Sequence, residues 1–133
     1  MSRSSGADTP VLDLRTYKLV PGGGEDFDRI FRERALPMLE RFGIEVLRYG
    51  PSLEDADLYF LMRVFPSVTH RNEQLDAFYG SDEWRQNHRD AVLALIETYH
   101  TLLISLTNGE IGRSGGRLHP GRQPWLIRGP VSR

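Results

Sequence analysis

Residues 13–19, Asp-Leu-Arg-Thr-Tyr-Lys-Leu, pass through Val-Pro-Gly-Gly-Gly at 20–24 into a helical pattern that closes on Leu-Pro-Met-Leu-Glu-Arg-Phe-Gly at 36–43. The period of two in a strand puts Asp13, Arg15 and Tyr17 on one face and Leu12 and Leu14 on the other. A polar stripe is thus built into an otherwise core-like strand over residues 11–20, and it marks the first place to look for function. Pro21 and the three glycines end the strand. Phe27, Ile30, Phe31, Ala35, Met38, Leu39 and Phe42 then recur at helical spacing, with Glu25 and Asp26 favouring the positive N-terminal end and Gly43 supplying a C-terminal cap. Pro37 inside that pattern predicts a kink or an interruption.

Beyond this opening, residues 44–50 read as a second strand, 51–56 as a turn and 57–65 as a third strand of high β-propensity. Residues 68–79 predict a short helix that breaks at Gly80. Ser81, followed by Asp82 and Glu83, caps a longer helix whose inward stripe is Trp84, His88, Ala91, Val92, Leu95 and Ile96. Residues 99–107 form the last strand. The resulting order, β-α-β-β-α-α-β, is an α+β ferredoxin-like sandwich spanning residues 11–107. Its last strand turns His100, Leu102, Ile104 and Leu106 to one side, an apolar row too large to leave in water on a monomer, so a homodimer is expected. Residues 1–10 read as a disordered lead-in. Residues 108–133 hold six glycines, three prolines and five arginines against one acid, which predicts a tail with no core of its own. Trp125-Leu126-Ile127 interrupts that tail and is a candidate anchor onto the body or the dimer partner.

The chain has 133 residues, a formal net charge of −1 and no cysteine. Its length suits one domain, and its near-neutral charge argues against a general nucleic-acid or anionic-membrane binder. Disulfides, thiolate nucleophiles and cysteine metal sites are excluded. No run is long enough to span a bilayer and residues 1–9 hold no apolar signal core, which predicts a cytoplasmic protein. Lys18, the single lysine, faces away from Tyr17 and reads as a surface charge.

Two constellations carry candidate chemistry. In the first, Asp13, Arg15 and Tyr17 join Tyr59 and Arg63, which share a side of the third strand. Arginine supplies bidentate hydrogen bonds and tyrosine a proton, a pairing suited to a carboxylate, an enolate or a phenolic substrate. The structural alternative is an ion pair between Asp13 and Arg15 or Arg63 that fixes the sheet. In the second, Trp84 and His88 lie one helical turn apart on the buried stripe. An unpaired imidazole there costs about 1–3 kcal/mol, so His88 needs a hydrogen bond, a ligand or a metal. Four scattered histidines without a His-x-x-x-His pair or a carboxylate cluster give no metal site. Gly22-Gly23-Gly24 lacks the lysine and the spacing of a phosphate-binding loop.

The acid-x-Arg-x-Tyr strand, its Val-Pro-Gly-Gly-Gly exit and the helix ending Leu-Pro-Met-Leu-Glu-Arg-Phe-Gly resemble the NIPSNAP family. The resemblance implies a dimeric α/β barrel made by two sheets packed across a two-fold axis. By fold analogy it implies a pocket for a small hydrophobic or aromatic metabolite, lined by Tyr17, Tyr59, Arg15, Arg63, Trp84 and His88. It further suggests a cofactor-independent oxygenase or cyclase of polyketide-like or phenolic substrates. In that chemistry His88 or Tyr17 is the base and Arg15 or Arg63 stabilises the enolate. Two alternatives stay open: a non-catalytic binding or scaffolding dimer, and haem binding through His88 by analogy with haem-degrading relatives. The asparagine expected on the first strand of those relatives is absent.

Overall fold

The computed structural model describes residues 9–107. The tail expected over 108–133, with His119 and the Trp125-Leu126-Ile127 triplet, and most of the lead-in lie outside the described residues. Four strands, β1 (Val11–Leu19), β2 (Glu45–Pro51), β3 (Leu58–Phe65) and β4 (Ile96–Ser105), form one sheet in the order β2-β3-β1-β4. Every neighbouring pair is antiparallel. Helical segments α1 (Gly24–Ile30), α2 (Leu36–Arg41), α3 (Val68–Tyr79) and α4 (Arg89–Leu93) complete the ferredoxin-like α+β fold expected from the sequence.

The polar stripe of β1 faces the helices. Val11, Asp13, Tyr17 and Leu19 are buried there, and cross-strand pairing sets Asp13 opposite Arg63 and Tyr17 opposite Tyr59. On the other side, Leu14 pairs with Met62 and Leu102, and Leu12 with Val64 and Ile104, so the open sheet face is the apolar one. Lys18 projects from that face beside Glu97, 3.8 Å away.

Pro37 produces a wide turn rather than a break. The π-helical segment Phe31–Ala35 joins α1 to α2, with the Leu36 N–H donating to the Phe31 carbonyl. A proline has no N–H for the regular ladder, and the extra residue in the turn absorbs that loss. A second π-helical turn, Trp84–His88, precedes α4. It follows the Ser81 cap, whose Oγ accepts from the Trp84 N–H at 3.1 Å. One inserted residue brings Trp84 and Val92, eight apart, to the same buried face, as seven apart would lie in an α-helix. The sequence pattern continued that helix through Leu95 and Ile96; instead α4 stops at Leu93 and β4 begins at Ile96. The Val20 N–H donates to the Leu95 carbonyl and Leu19 pairs with Ile96, so pairing with the central strand prevails over helical periodicity.

Asp57 fastens the turn after β1. Its carboxylate accepts from the Gly22 N–H at 2.8 Å and the Gly24 N–H at 3.0 Å. A side chain at Gly24 would run into the Ala56 carbonyl oxygen, whereas Gly22 sits in open space with φ +80°. Gly24→Ala is therefore expected to destabilise the fold by about 1–3 kcal/mol through backbone displacement. Gly22→Ala is expected to lose only the left-handed penalty of about 1–2 kcal/mol. Urea titration of the two variants should show Gly24→Ala as the less stable.

Candidate functional site

The helix-facing polar stripe assembles around Asp13, which has no exposed surface. Its Oδ1 accepts from Arg63 Nη2 at 3.3 Å, and its Oδ2 accepts from Arg71 Nε at 3.0 Å and meets Arg71 Nη2 at 2.9 Å. Arg63 is as fully buried and donates Nη1 to the Tyr79 hydroxyl at 3.1 Å. Burial by itself would disfavour its charge, but Tyr79, Asp13 and Tyr17 outweigh that and hold its pKa above the ordinary arginine value. Arg15, one position further along the same face of β1, donates Nε to Thr101 Oγ1 at 3.0 Å and Nη1 to the Tyr79 hydroxyl at 3.4 Å. Its guanidinium carbon lies 5.1 Å from the Tyr99 ring centre and 5.9 Å from that of Tyr79.

These groups wall a cleft of about 600 Å³ between the helices and the β1–β4 half of the sheet. Arg15, Tyr17 and Tyr99 come from the sheet, Arg71, Leu75, Asp76 and Tyr79 from α3, and Trp84, Arg89, Val92 and Leu93 from the final helical stretch. The size falls within the range of small-molecule sites, and each of the three walls combines apolar or aromatic side chains with an arginine. The helical stretch over residues 82–93 ends at Leu93, and Tyr99 and Leu103 of β4 stay exposed among the described residues.

Of the residues singled out from sequence, Arg15, Tyr17 and Trp84 line the cleft and Arg63 stands behind Tyr79. Tyr59 does not reach it. Its hydroxyl donates to Asp28 Oδ1 at 2.6 Å, and its ring packs edge-on against Phe27. His88 also lies elsewhere: its Nε2 is 3.6 Å from Glu83, whose carboxylate is held by Arg41 at 2.6 and 3.1 Å. A haem held by His88 does not fit this arrangement, because among the described residues no histidine lines the cleft and the His88 Nε2 is turned toward Glu83. Among the described residues no group of three His, Asp or Glu side chains is placed to hold a metal ion, and no helix is long and apolar enough to cross a membrane. Arg71, Tyr79, Tyr99 and Arg89 escaped the sequence reading. Alternation alone places Tyr99 and Thr101 on one face of their strand, but setting them beside Arg15 requires the β1–β4 register.

Burial and the neighbouring Tyr79 push the Tyr17 phenol above its ordinary value, despite the charge and hydrogen bond of Arg15, so Tyr17 is protonated at neutral pH. Burial and the bond to Asp28 raise Tyr59 in the same direction. Neutral phenols favoured by the fold contribute stability that is complete below the ordinary tyrosine value of about 10 and is lost as pH rises beyond it. Absorbance at 295 nm should show both phenols ionising only above that value, with Tyr17→Phe and Tyr59→Phe each removing part of the late step. Removing Asp13 strands two guanidiniums, one fully buried. Asp13→Ala is expected to cost about 3–5 kcal/mol by urea denaturation, with Arg71→Ala costing less because Arg71 reaches solvent.

Among curated proteins none matches the sequence. In fold the chain is similar to a NIPSNAP family protein from Agrobacterium tumefaciens, with a TM-score of 0.68 at 17% identity, covering 75% of this chain and 88% of that one. It is similar to an uncharacterized NIPSNAP-like domain protein from Burkholderia xenovorans, at 0.67 and 13%, covering 73% and 84%. SnoaB, a cofactor-independent oxygenase from Streptomyces nogalater solved in mutant form, matches at 0.54 and 16%, covering 72% and 91%. At these identities the likenesses establish the fold. The NIPSNAP family profile spans residues 12–108, from the polar strand past the end of β4, and this chain belongs to the NIPSNAP family.

Proposed function

We propose that the chain works as a homodimer in which each protomer's cleft binds a small hydrophobic or aromatic molecule. The observation that carries this reading is the cleft of about 600 Å³, with Tyr17, Trp84, Tyr79 and Tyr99 in its walls beside Leu75, Val92 and Leu93. Aromatic walls of this kind favour flat, apolar occupants through area burial and offset stacking. A second copy is supported by the sheet face turned away from the described helices, where cross-strand pairing aligns Leu12, Leu14, Phe60, Met62, Val64, Leu102 and Ile104, with Leu102 exposed. Two such faces packed together make the dimeric α/β barrel and remove both from water.

The likeness to a cofactor-independent oxygenase extends the reading to chemistry on the bound molecule. In an oxygenase or cyclase reaction of this class, a substrate carbon loses a proton and the charge passes to an oxygen. Arg15 and the Tyr17 hydroxyl are the donors that receive that oxyanion. Arg63 acts through Tyr79 as a positioning residue. With Tyr17 held protonated and His88 outside the cleft, proton removal falls to Asp76, the carboxylate lining the cleft among the described residues. A binding dimer without turnover is the second reading, favoured by the inner wall, where the Asp13 carboxylate is already taken up by two arginines.

Native mass spectrometry of protein purified gently from its own host tests the proposal. A dimer that releases one small molecule per protomer on denaturation is the expected result; a bare monomer overturns it. Leu102 is 58% exposed on the open face, so Leu102→Glu should leave the protomer folded and shift the mass to monomer. Incubating the released molecule with the protein and oxygen then separates the readings, since recovery of the unchanged molecule favours binding alone.

A further inference from the structure

The cleft carries more positive charge than the fold needs. Both Asp13 oxygens are taken up by Arg63 and Arg71. Arg15 is left with the neutral hydroxyls of Thr101, Tyr79 and Tyr17, and among the described residues no carboxylate forms an ion pair with it. Counting the cleft walls, the pair behind them and the partner of Arg89, the guanidiniums of Arg15, Arg63, Arg71 and Arg89 stand against the carboxylates of Asp13, Asp76 and Asp90, one positive charge in excess. Arg89 meets only the exposed Asp90, at 3.5 Å. A surplus of guanidinium charge at a partly desolvated wall is unfavourable unless something else neutralises it.

The posture of Arg15 is also specific. Its guanidinium carbon lies over the Tyr99 and Tyr79 rings, 5.1 and 5.9 Å from their centres, while Nε and Nη1 reach the Thr101 and Tyr79 hydroxyls. A guanidinium held among aromatic rings and neutral hydroxyls has its charge unmatched by any of its protein partners, and a carboxylate both accepts its N–H groups and supplies that charge. Tyr17 lies on the same face of β1, and the helices contribute Trp84, Leu75 and Val92 to the lining together with Arg71 and Arg89. The walls together match a flat ring that bears its charge at one end.

We propose that the natural occupant of the cleft is a planar aromatic carboxylate and that Arg15 recognises its anionic group. This rests on the cleft being a ligand site, as proposed above, and adds the charge and the residue that reads it. Calorimetric titration of the full-length protein at low salt with 2-naphthoate and with neutral 2-naphthamide tests it. Naphthoate is expected to bind about tenfold or more tightly than the amide, the scale of one charge-assisted contact. Arg15→Gln should bring the two probes to near parity by weakening naphthoate alone, and Arg15→Lys should restore only part of the preference because a lysine neither stacks nor forks. Should Arg15→Gln fail to fold, Thr101→Val removes the acceptor that orients Nε and should lower the naphthoate preference by itself.

Equal affinity of the wild-type protein for both probes would overturn the anion and leave the cleft standing. Inorganic phosphate displacing naphthoate at comparable concentration would make this a general anion site and overturn the aromatic acid. A preference that survives Arg15→Gln would remove Arg15 as the reader. Binding of neither probe would overturn the ligand cleft itself, and this inference with it.

Discussion

A single carboxylate, Asp13, sits at the centre of β1 with no access to water, held by Arg63 from the adjacent strand and Arg71 from the helix above. Burying it requires both partners, because an isolated charge in that environment is prohibitive. The pairing therefore fixes two relationships at once. It sets the register of β1 against β3, where Asp13 faces Arg63 directly, and it sets the height of α3 over the sheet. A slip of one residue in β1 would turn the whole stripe outward and leave two arginines without their partner.

The cleft follows from that arrangement. With α3 anchored by Arg71, Tyr79 at its C-terminal end comes down onto Arg63 and Arg15, while the Ser81 cap and the π-helical turn after it bring Trp84 in from the side. Among the described residues no helix covers the outer part of β4, and Tyr99 stands exposed beside Arg15. A structural ion pair and a binding wall are thus consecutive residues on one face of one strand, Asp13 for the first and Arg15 for the second.

This division of labour also decides which groups have chemistry left to offer. Arg63 is spent on Asp13 and Tyr79, Tyr59 on Asp28, and the imidazole of His88 is turned toward Glu83. Arg15 and Tyr17 keep donor capacity toward the cleft, and burial keeps the Tyr17 phenol protonated. The site is rich in donors and cationic groups and poor in bases, a balance suited to holding and stabilising an anion.

Much of the fold was legible in the sequence because it rests on local periodicities. Alternation in residues 11–19 and 58–65, helical spacing from Phe27 to Phe42, and the turn and cap residues at 20–24 and 81–83 each report their own element. Period two also shows that Asp13, Arg15 and Tyr17 share a face, and a proline at 37 announces a disturbed helix. What no local pattern contains is which face is covered, which residues meet across strands, and where a helix yields to a strand. Tertiary pairing decided these: Leu95 and Ile96 left the helical pattern to join Val20 and Leu19, and Tyr99 came beside Arg15 through the β1–β4 register. The π-helical turn at Trp84–His88 carried Trp84 to the cleft wall and left His88 beside Glu83, although helical spacing had put both on one stripe. Spacing along the chain determines elements and their faces, whereas a binding site is a set of distances between elements, and only packing sets those.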